Sequence, residues 1–559
     1  MLKYPILVYN NWSSYDELSD NLELTEDIAL FQLDNLLRLK KNGINFQYYL
    51  MDAFWYLEDG GYREWRKPHW EKGPVNWLNR CKENNIIPGL WFSTNRLLKL
   101  IPIDQWIDSI ATNGKDLCLI AGGYLNHLLE TFQYWYDNGI RIFKLDFANF
   151  NASTIDLELA YTREEIIRKN IEYIKTGIKL FKMKNKDAIF IAYNGFGGEQ
   201  SNTSYSIKKT IDESWLSVFD TLYCGDPRPS DVPCMNFWRS MNIYTDHMVK
   251  YYQFNDIPLE RIDNCEFMIG KTGTCYNRGI NAYKSLAILS MARGGWLNII
   301  HGNLELIDDE KIEWIKKVQK LFIELQAVGR TYTFGGIPGY SEPYGYVSLS
   351  TNGSIYTIVN PSQSIRELEL EKITPYQKNI NNGFLIFSDS GFNPVLENNK
   401  IILGPEQMAV VGYGEYSNSK YYLGIDEDII IPKIIKELYV ENITKQEKDV
   451  NGTVKLSQNS SIRVVFNQKE KNGVAKRSTG GFLPKAKNFD EIFSIKAIQN
   501  NKELKLNMNY NKPIWSGLSW AVAEIEKSNI DINFPIQIRC STKEDSKVEL
   551  DMNIYSVDY

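Results

Sequence analysis

Up to about residue 330, short runs of β-branched and aromatic residues alternate with longer stretches whose apolar positions repeat at helical spacing. The runs fall at 6–9, 46–51, 87–92, 142–145, 188–193, 221–224, 265–269 and 296–300. Between them, Ala29, Leu30, Leu33, Leu36, Leu37 and Leu39 recur at roughly helical spacing before Asn42-Gly43, and Leu128, Leu129, Phe132 and Trp135 do the same before Asn138-Gly139. An Asn-Gly after the last apolar position is a helix stop, because glycine accepts the left-handed backbone on which helices end. Repeated strand, helix and stop predict parallel strands joined by crossover helices, and eight strands over this length is the number of a (β/α)8 TIM barrel.

Beyond about residue 330 the period shortens to two. Tyr346-Val347-Ser348-Leu349, the turn Thr351-Asn352-Gly353 and Ile355-Tyr356-Thr357-Ile358-Val359 read as antiparallel strands joined by a tight turn. Tyr416-Ser417-Asn418-Ser419 separates this block from a later one that contains Ile462-Arg463-Val464-Val465-Phe466 and Ile536-Gln537-Ile538-Arg539-Cys540. The expected architecture is α/β: a barrel over 1–330, then a C-terminal antiparallel β-sandwich region divided into 331–415 and 416–559. The final block reads either as a glycan-binding module or as packing for the barrel.

Composition narrows the partners. The 559 residues carry 63 Lys+Arg against 69 Asp+Glu, and no cluster of basic residues suggests a phosphate-binding surface, so nucleic acid is not expected as a partner. No stretch of about 18 apolar residues occurs, so no membrane partner is expected either. Met1 to Trp12 holds no apolar core of signal-peptide length, which points to the cytoplasm. The seven cysteines form no CxxC pair and the four histidines no HExxH, so neither a disulfide framework nor metal catalysis is expected. Aromatic residues reach 13%, and apolar ring faces stack well on the C–H faces of sugars.

A barrel builds its active site at the C-terminal ends of its strands, so polar residues that close apolar runs are the candidates. These are Asn10-Asn11-Trp12, Asp52, Trp91-Phe92-Ser93, Lys144-Leu145-Asp146, Tyr193-Asn194 and the run Tyr223-Cys224-Gly225-Asp226-Pro227-Arg228-Pro229-Ser230-Asp231. Carboxylates, amides and Trp rings on one rim suit a polyhydroxylated ligand. Retaining glycoside hydrolysis needs one carboxylate as nucleophile and one carboxylic acid about 5–5.5 Å away. Trp12, Trp55 and Trp91 read equally as core or as a sugar platform.

Several of these runs resemble glycoside hydrolase families 27 and 36, of clan D. Pro5 to Trp12 is similar to the segment that opens the family 36 barrel, and Met51-Asp52-Ala53-Phe54-Trp55 with Gly89-Leu90-Trp91-Phe92 is similar to its Asp-Asp-Gly-Trp and Gly-Leu-Trp stretches. Lys144-Leu145-Asp146 matches the Lys-x-Asp of both families, and Ser230-Asp231, preceded by Arg228, resembles the acid/base segment. The resemblance implies an α-galactosidase with Asp146 as nucleophile and Asp231 as acid/base, with Asp226 as its rival in the same loop. Trp12, Asp52, Trp91, Lys144, Asn194, Asp226 and Arg228 would contact an oligosaccharide or glycoside substrate. No cofactor is implied. The paired Asp of the second strand is here single, at Asp52, so α-N-acetylgalactosaminide, α-glucoside and a catalytically silent sugar-binding protein stay as alternatives.

Overall fold

The structure, a computed structural model, describes every residue except 1, 15–22, 198–201, 265–266, 271–282, 329, 371–382, 479–486, 511–515 and 544–547. Strands β1 (Ile6–Asn10), β2 (Tyr48–Met51), β3 (Ile87–Ser93), β4 (Ile142–Asp146), β5 (Ile189–Ala192), β6 (Thr221–Tyr223), β7 (Ile262–Asp263), β8 (Met268–Ile269) and β9 (Leu297–Gly302) form one curled sheet in the order β7-β6-β5-β4-β3-β2-β1-β9-β8. Every pairing in it is parallel. Nine strands fill the eight positions of a (β/α)8 barrel because β7 and β8 lie close together in the chain, and β7 pairs with β6 while β8 pairs with β9. The expected run at 265–269 is realised at its described end, and Cys265 lies outside the described residues. Ile262–Asp263 went unforeseen because two residues are too few to show an alternation.

The helices are α1 (Glu26–Lys41), α2 (Val75–Glu83), α3 (Tyr124–Asp137), α4 (Ile155–Ala160), α5 (Arg163–Lys184), α6 (Phe237–Phe254), α7 (Tyr283–Ala292) and α8 (Asp309–Val328). Thr25 caps α1 by accepting from the Ile28 amide, worth about 1 kcal/mol. The two Asn-Gly stops act as expected: Asn42 and Asn138 are the C-caps of α1 and α3, and Gly43 and Gly139 follow at φ 101° and 99°.

Strand parity sorts the core into two layers. Ile6, Val8, Tyr48, Leu50, Ile142, Ile189, Ile191, Leu297 and Ile299 cluster with one another inside the barrel. Their neighbours Leu7, Tyr9, Tyr49, Phe143 and Phe190 belong to the larger core shared with the helices. Alternate residues of a strand share a face, so the inner rows continue upward to Asn10, Asp52, Lys144 and Asp146, Tyr193 and His301. Continuing the apolar rows thus delivers polar side chains to one end of the barrel.

Beyond the barrel, Arg330–Gly335, Tyr344–Leu349, Gly353–Val359, Met408–Gly414, Phe384–Ser390 and Gly424–Ile430 form a six-stranded sheet beside a three-stranded one. Its pairings are antiparallel except that of Phe384–Ser390 with Gly424–Ile430. Tyr344, Tyr346, Ile355 and Met408 join the barrel's outer core, while Val347, Tyr356 and Ile358 pack in a separate cluster on the other side. Coverage on both faces explains why Tyr344–Leu349 is buried throughout, whereas Ile536–Thr542, in the last region, alternates buried and exposed. That last region holds two five-stranded sheets between Ile434 and Asp558. Cys81, Cys118, Cys224, Cys234 and Cys540 are buried in no disulfide, and Cys275 joins Cys265 outside the described residues.

Candidate active site

Asp146 is the last residue of β4, and its carboxylate is gripped by two backbone amides and two side chains. Oδ1 accepts from the Phe147 amide at 2.8 Å, the Asn194 amide at 3.1 Å and the Asn194 side chain at 2.9 Å; among the described residues Oδ2 accepts only from the Trp91 indole, at 3.1 Å. Phe147 turns its amide back in this way at φ 51°, a left-handed conformation costing a bulky residue about 1–3 kcal/mol. Phe54, just past the end of β2, is held at φ 66°. Non-glycine residues in this conformation past the ends of β2 and β4, on the same rim of the barrel, are a recurrent mark of functional sites. Burial pushes the Asp146 carboxyl above the usual carboxylate range; the charge of Lys144 and the hydrogen bonds from Trp91 and Asn194 oppose that rise, and Asp52 adds to it.

Asp52 and Lys144 form the second element. Lys144 Nζ donates to Asp52 Oδ2 at 2.8 Å and Asn10 Nδ2 to the same oxygen at 2.9 Å, with all three side chains buried. The Lys144 ammonium lies 3.8 Å from the Tyr193 ring centre and 5.1 Å from that of Trp12. Trp12, partly exposed, meets His301 edge to face at 6.1 Å. Burial and the Lys144 charge hold the His301 imidazole well below its usual range. Lys144 therefore links Asp52 to the aromatic side chains on the barrel's inner face.

The third element is the loop after β6, and here the two candidate acids diverge. Tyr223 stacks on Tyr193 at 4.1 Å and donates its hydroxyl to Asp226 Oδ1. Asp226 Oδ2 lies 3.6 Å from Arg228 and accepts no hydrogen bond among the described residues. Asp231 accepts from the Thr203 amide at 2.7 Å, the Thr203 hydroxyl at 3.0 Å and the Ser204 amide at 3.1 Å on Oδ2, and from Arg477 Nε at 3.0 Å and the Ser519 hydroxyl at 2.9 Å on Oδ1. The Asp231 side chain is 3% exposed against 14% for Asp226. Through Tyr223, Tyr193 and Lys144 the contacts of Asp226 run to Asp52 and the β4 end, while those of Asp231 run to the 202–204 segment and the last β region.

Of the residues singled out in the sequence, Asp52 meets Lys144, Trp91 and Asn194 meet Asp146, Trp12 stands over Lys144, and Asp226 with Arg228 joins through the two tyrosines. Trp91 is fully buried and gives its N–H to Asp146. Trp55 is core, packed against Trp65 and Trp135. Asn10, Tyr193 and Tyr223 stood out in the sequence only as residues closing their strands, with no substrate contact expected of them; Arg477 did not stand out at all. The first three were findable, since they sit on or just past strand ends of the barrel. Nothing local marks Arg477. Among the described residues no group of three His, Cys, Asp or Glu side chains is arranged to hold a metal ion, and no helix is long and apolar enough to cross a membrane.

The sequence matches no family model and no curated protein. Similar solved structures include a Bacteroides fragilis protein proposed to be an α-galactosidase, at 14% identity, covering 74% of this chain and 80% of that one with a TM-score of 0.48. A family 27 β-L-arabinopyranosidase from Geobacillus stearothermophilus is similar at 13% identity over 73% of this chain and 96% of that one, TM-score 0.47. A trehalose-6-phosphate hydrolase from Bacillus licheniformis is similar at 10% identity over 74% and 99%, TM-score 0.46. Identity this low transfers no substrate from those proteins to this chain.

Proposed function

We propose that the protein is a retaining glycoside hydrolase that acts on terminal α-galactosides through a covalent glycosyl-enzyme. The observation that carries this reading is the Asp146 carboxylate, buried at a barrel strand end with one oxygen saturated by three N–H donors and the other accepting a single hydrogen bond. Oδ2 keeps a lone pair for attack on the anomeric carbon. As that bond forms, the glycosidic bond breaks, its electron pair goes to the leaving oxygen, and Asp226 in its acid form supplies the proton. Asp226, now a carboxylate, then takes a proton from water, whose oxygen displaces Asp146 from the sugar. Asp226 is preferred over Asp231 because both oxygens of Asp231 are engaged by donors from fixed neighbours, which leaves no edge to meet a leaving group. Asp231 remains a second reading because Ser230-Asp231 after Arg228 resembles the acid/base segment of family 36.

Asp52, Lys144 and Arg228 supply charged partners for ring hydroxyls, and Trp12 an apolar face. The α-galactoside is supported by the Lys-x-Asp resemblance, with α-N-acetylgalactosaminide and α-glucoside next. A panel of nitrophenyl α-glycosides ranks the sugars. Trapping with a 2-deoxy-2-fluoro glycosyl donor of the best one should label Asp146; a label elsewhere, or no turnover across the panel, rejects the reading in favour of another nucleophile or a silent sugar-binding protein.

A further inference from the structure

The loop that carries Asp226 and Arg228 is not anchored by the barrel alone. From the last β region, Arg477 Nη2 donates to the Pro229 carbonyl at 2.6 Å and its Nε to Asp231 Oδ1 at 3.0 Å. The Trp520 indole donates to the Ser230 carbonyl at 2.8 Å, Ser519 to Asp231 at 2.9 Å, and Asn509 to the Cys234 carbonyl at 3.3 Å. The neighbouring 202–204 segment is tied to the same region, with Asn202 donating to the Ala475 carbonyl at 2.9 Å and the Ala475 amide to Ser204 at 3.1 Å. Thr203 and Ser204 then hold the other oxygen of Asp231. Asp231 is thus the pin of a joint between the loop and a region more than two hundred residues later.

The joint reaches toward the proposed chemistry. The Arg477 guanidinium lies 5.9 Å from the centre of the Tyr244 ring, and Arg228 lies 5.5 Å from the same ring and 3.6 Å from Asp226. A guanidinium donates in a fixed planar fork, so one side chain sets both the carboxylate of Asp231 and the backbone of Pro229 in one geometry, which the flexible ammonium of a lysine does not hold.

We propose that Arg477 is a positioning residue for proton donation: the last β region braces the loop so that Asp226 is aimed at the leaving oxygen. This rests on the reading of Asp226 as acid/base. In the full-length protein, kcat and KM of Arg477→Met, Arg477→Lys and Asp231→Asn are measured on two glycosides of the sugar chosen by the panel. One is a methyl glycoside, whose departure needs a proton; the other is a 2,4-dinitrophenyl glycoside, whose departure does not. A misplacement of the acid by about 1 Å lowers kcat on the methyl glycoside by about 10²-fold. On the dinitrophenyl glycoside kcat/KM is expected to be kept while kcat and KM fall together, because Asp226 also serves the deglycosylation step, and lysine should not rescue. Equal losses of kcat/KM on the two substrates, or full rescue by lysine, would overturn the proposal and leave Arg477 a purely structural tie. Should Arg477→Met fail to fold, Asp231→Asn, which keeps the shape and removes the charge, tests the brace by the same split between substrates. Asp226→Ala is the reference: if it shows no leaving-group dependence, the acid assignment has failed; if it does and the Arg477 variants do not, only the brace has.

Discussion

The strand end that bears Asp146 and the loop that bears Asp226 and Asp231 hold their carboxylates by different means. Around Asp146 the donors are the next residue in the chain, two groups of Asn194 just past the adjacent strand β5, and the indole of the neighbouring strand β3. Parallel pairing of β3, β4 and β5 brings these groups into reach, so the nucleophile's surroundings follow from strand register. Around Asp231 two of the donors lie 246 and 288 positions later in the chain. A carboxylate held by its own strands is rigid as long as the barrel stands, whereas a loop held by another region is only as well aimed as the joint. The nucleophile is accordingly the more local of the two proposed catalytic groups and the acid the more adjustable.

That contrast breaks first at Asp146. Asp146→Ala should lower kcat roughly 10⁴- to 10⁶-fold with the barrel intact by circular dichroism, and added azide should restore some of the turnover as a glycosyl azide. Next, Asp226→Ala should lose roughly 10²- to 10⁴-fold in kcat/KM on poor leaving groups and little in kcat/KM on dinitrophenyl glycosides, whose kcat and KM fall together as deglycosylation becomes limiting. A larger leaving-group-dependent loss in Asp231→Ala than in Asp226→Ala would reverse their roles and make the joint itself the acid. Trp91→Phe removes one hydrogen bond to the ionised nucleophile while keeping an aromatic ring, and kcat/KM should fall roughly 10- to 100-fold. The hydrogen bond favours the charged form, so its loss raises the Asp146 value further. The acidic limb of the kcat/KM profile, already above that of an exposed aspartate, should therefore move to higher pH in Trp91→Phe. The smallest effect belongs to Trp520→Phe, which removes the indole donor to Ser230; about 1 kcal/mol of stability should go, read as an earlier midpoint in urea unfolding.

Most of the barrel was legible because alternation and helical spacing are local properties: seven of the eight expected runs contain described strands, and the eighth does at its described end. The seventh barrel position was blurred because it is split between two two-residue strands, shorter than any periodicity. Asp52, Lys144 and Asp146 were legible for the same reason as the strands, since polar residues that continue an inward apolar row must meet at the barrel's end. The direction of the Trp91 indole was not, because a tryptophan at a strand end reads the same whether its ring faces a ligand or its N–H serves a neighbour.

By its sequence alone the chain determined an eight-position barrel with β-sheet structure after it, and a carboxylate at the fourth strand end beside a lysine, because hydrophobic period and strand parity are written in neighbouring residues. The different surroundings of Asp226 and Asp231 were decided only by the tertiary structure. They stand five positions apart in one loop, and what distinguishes them is Arg477, Ser519 and Trp520, brought to that loop by the packing of a distant β region that no local spacing encodes.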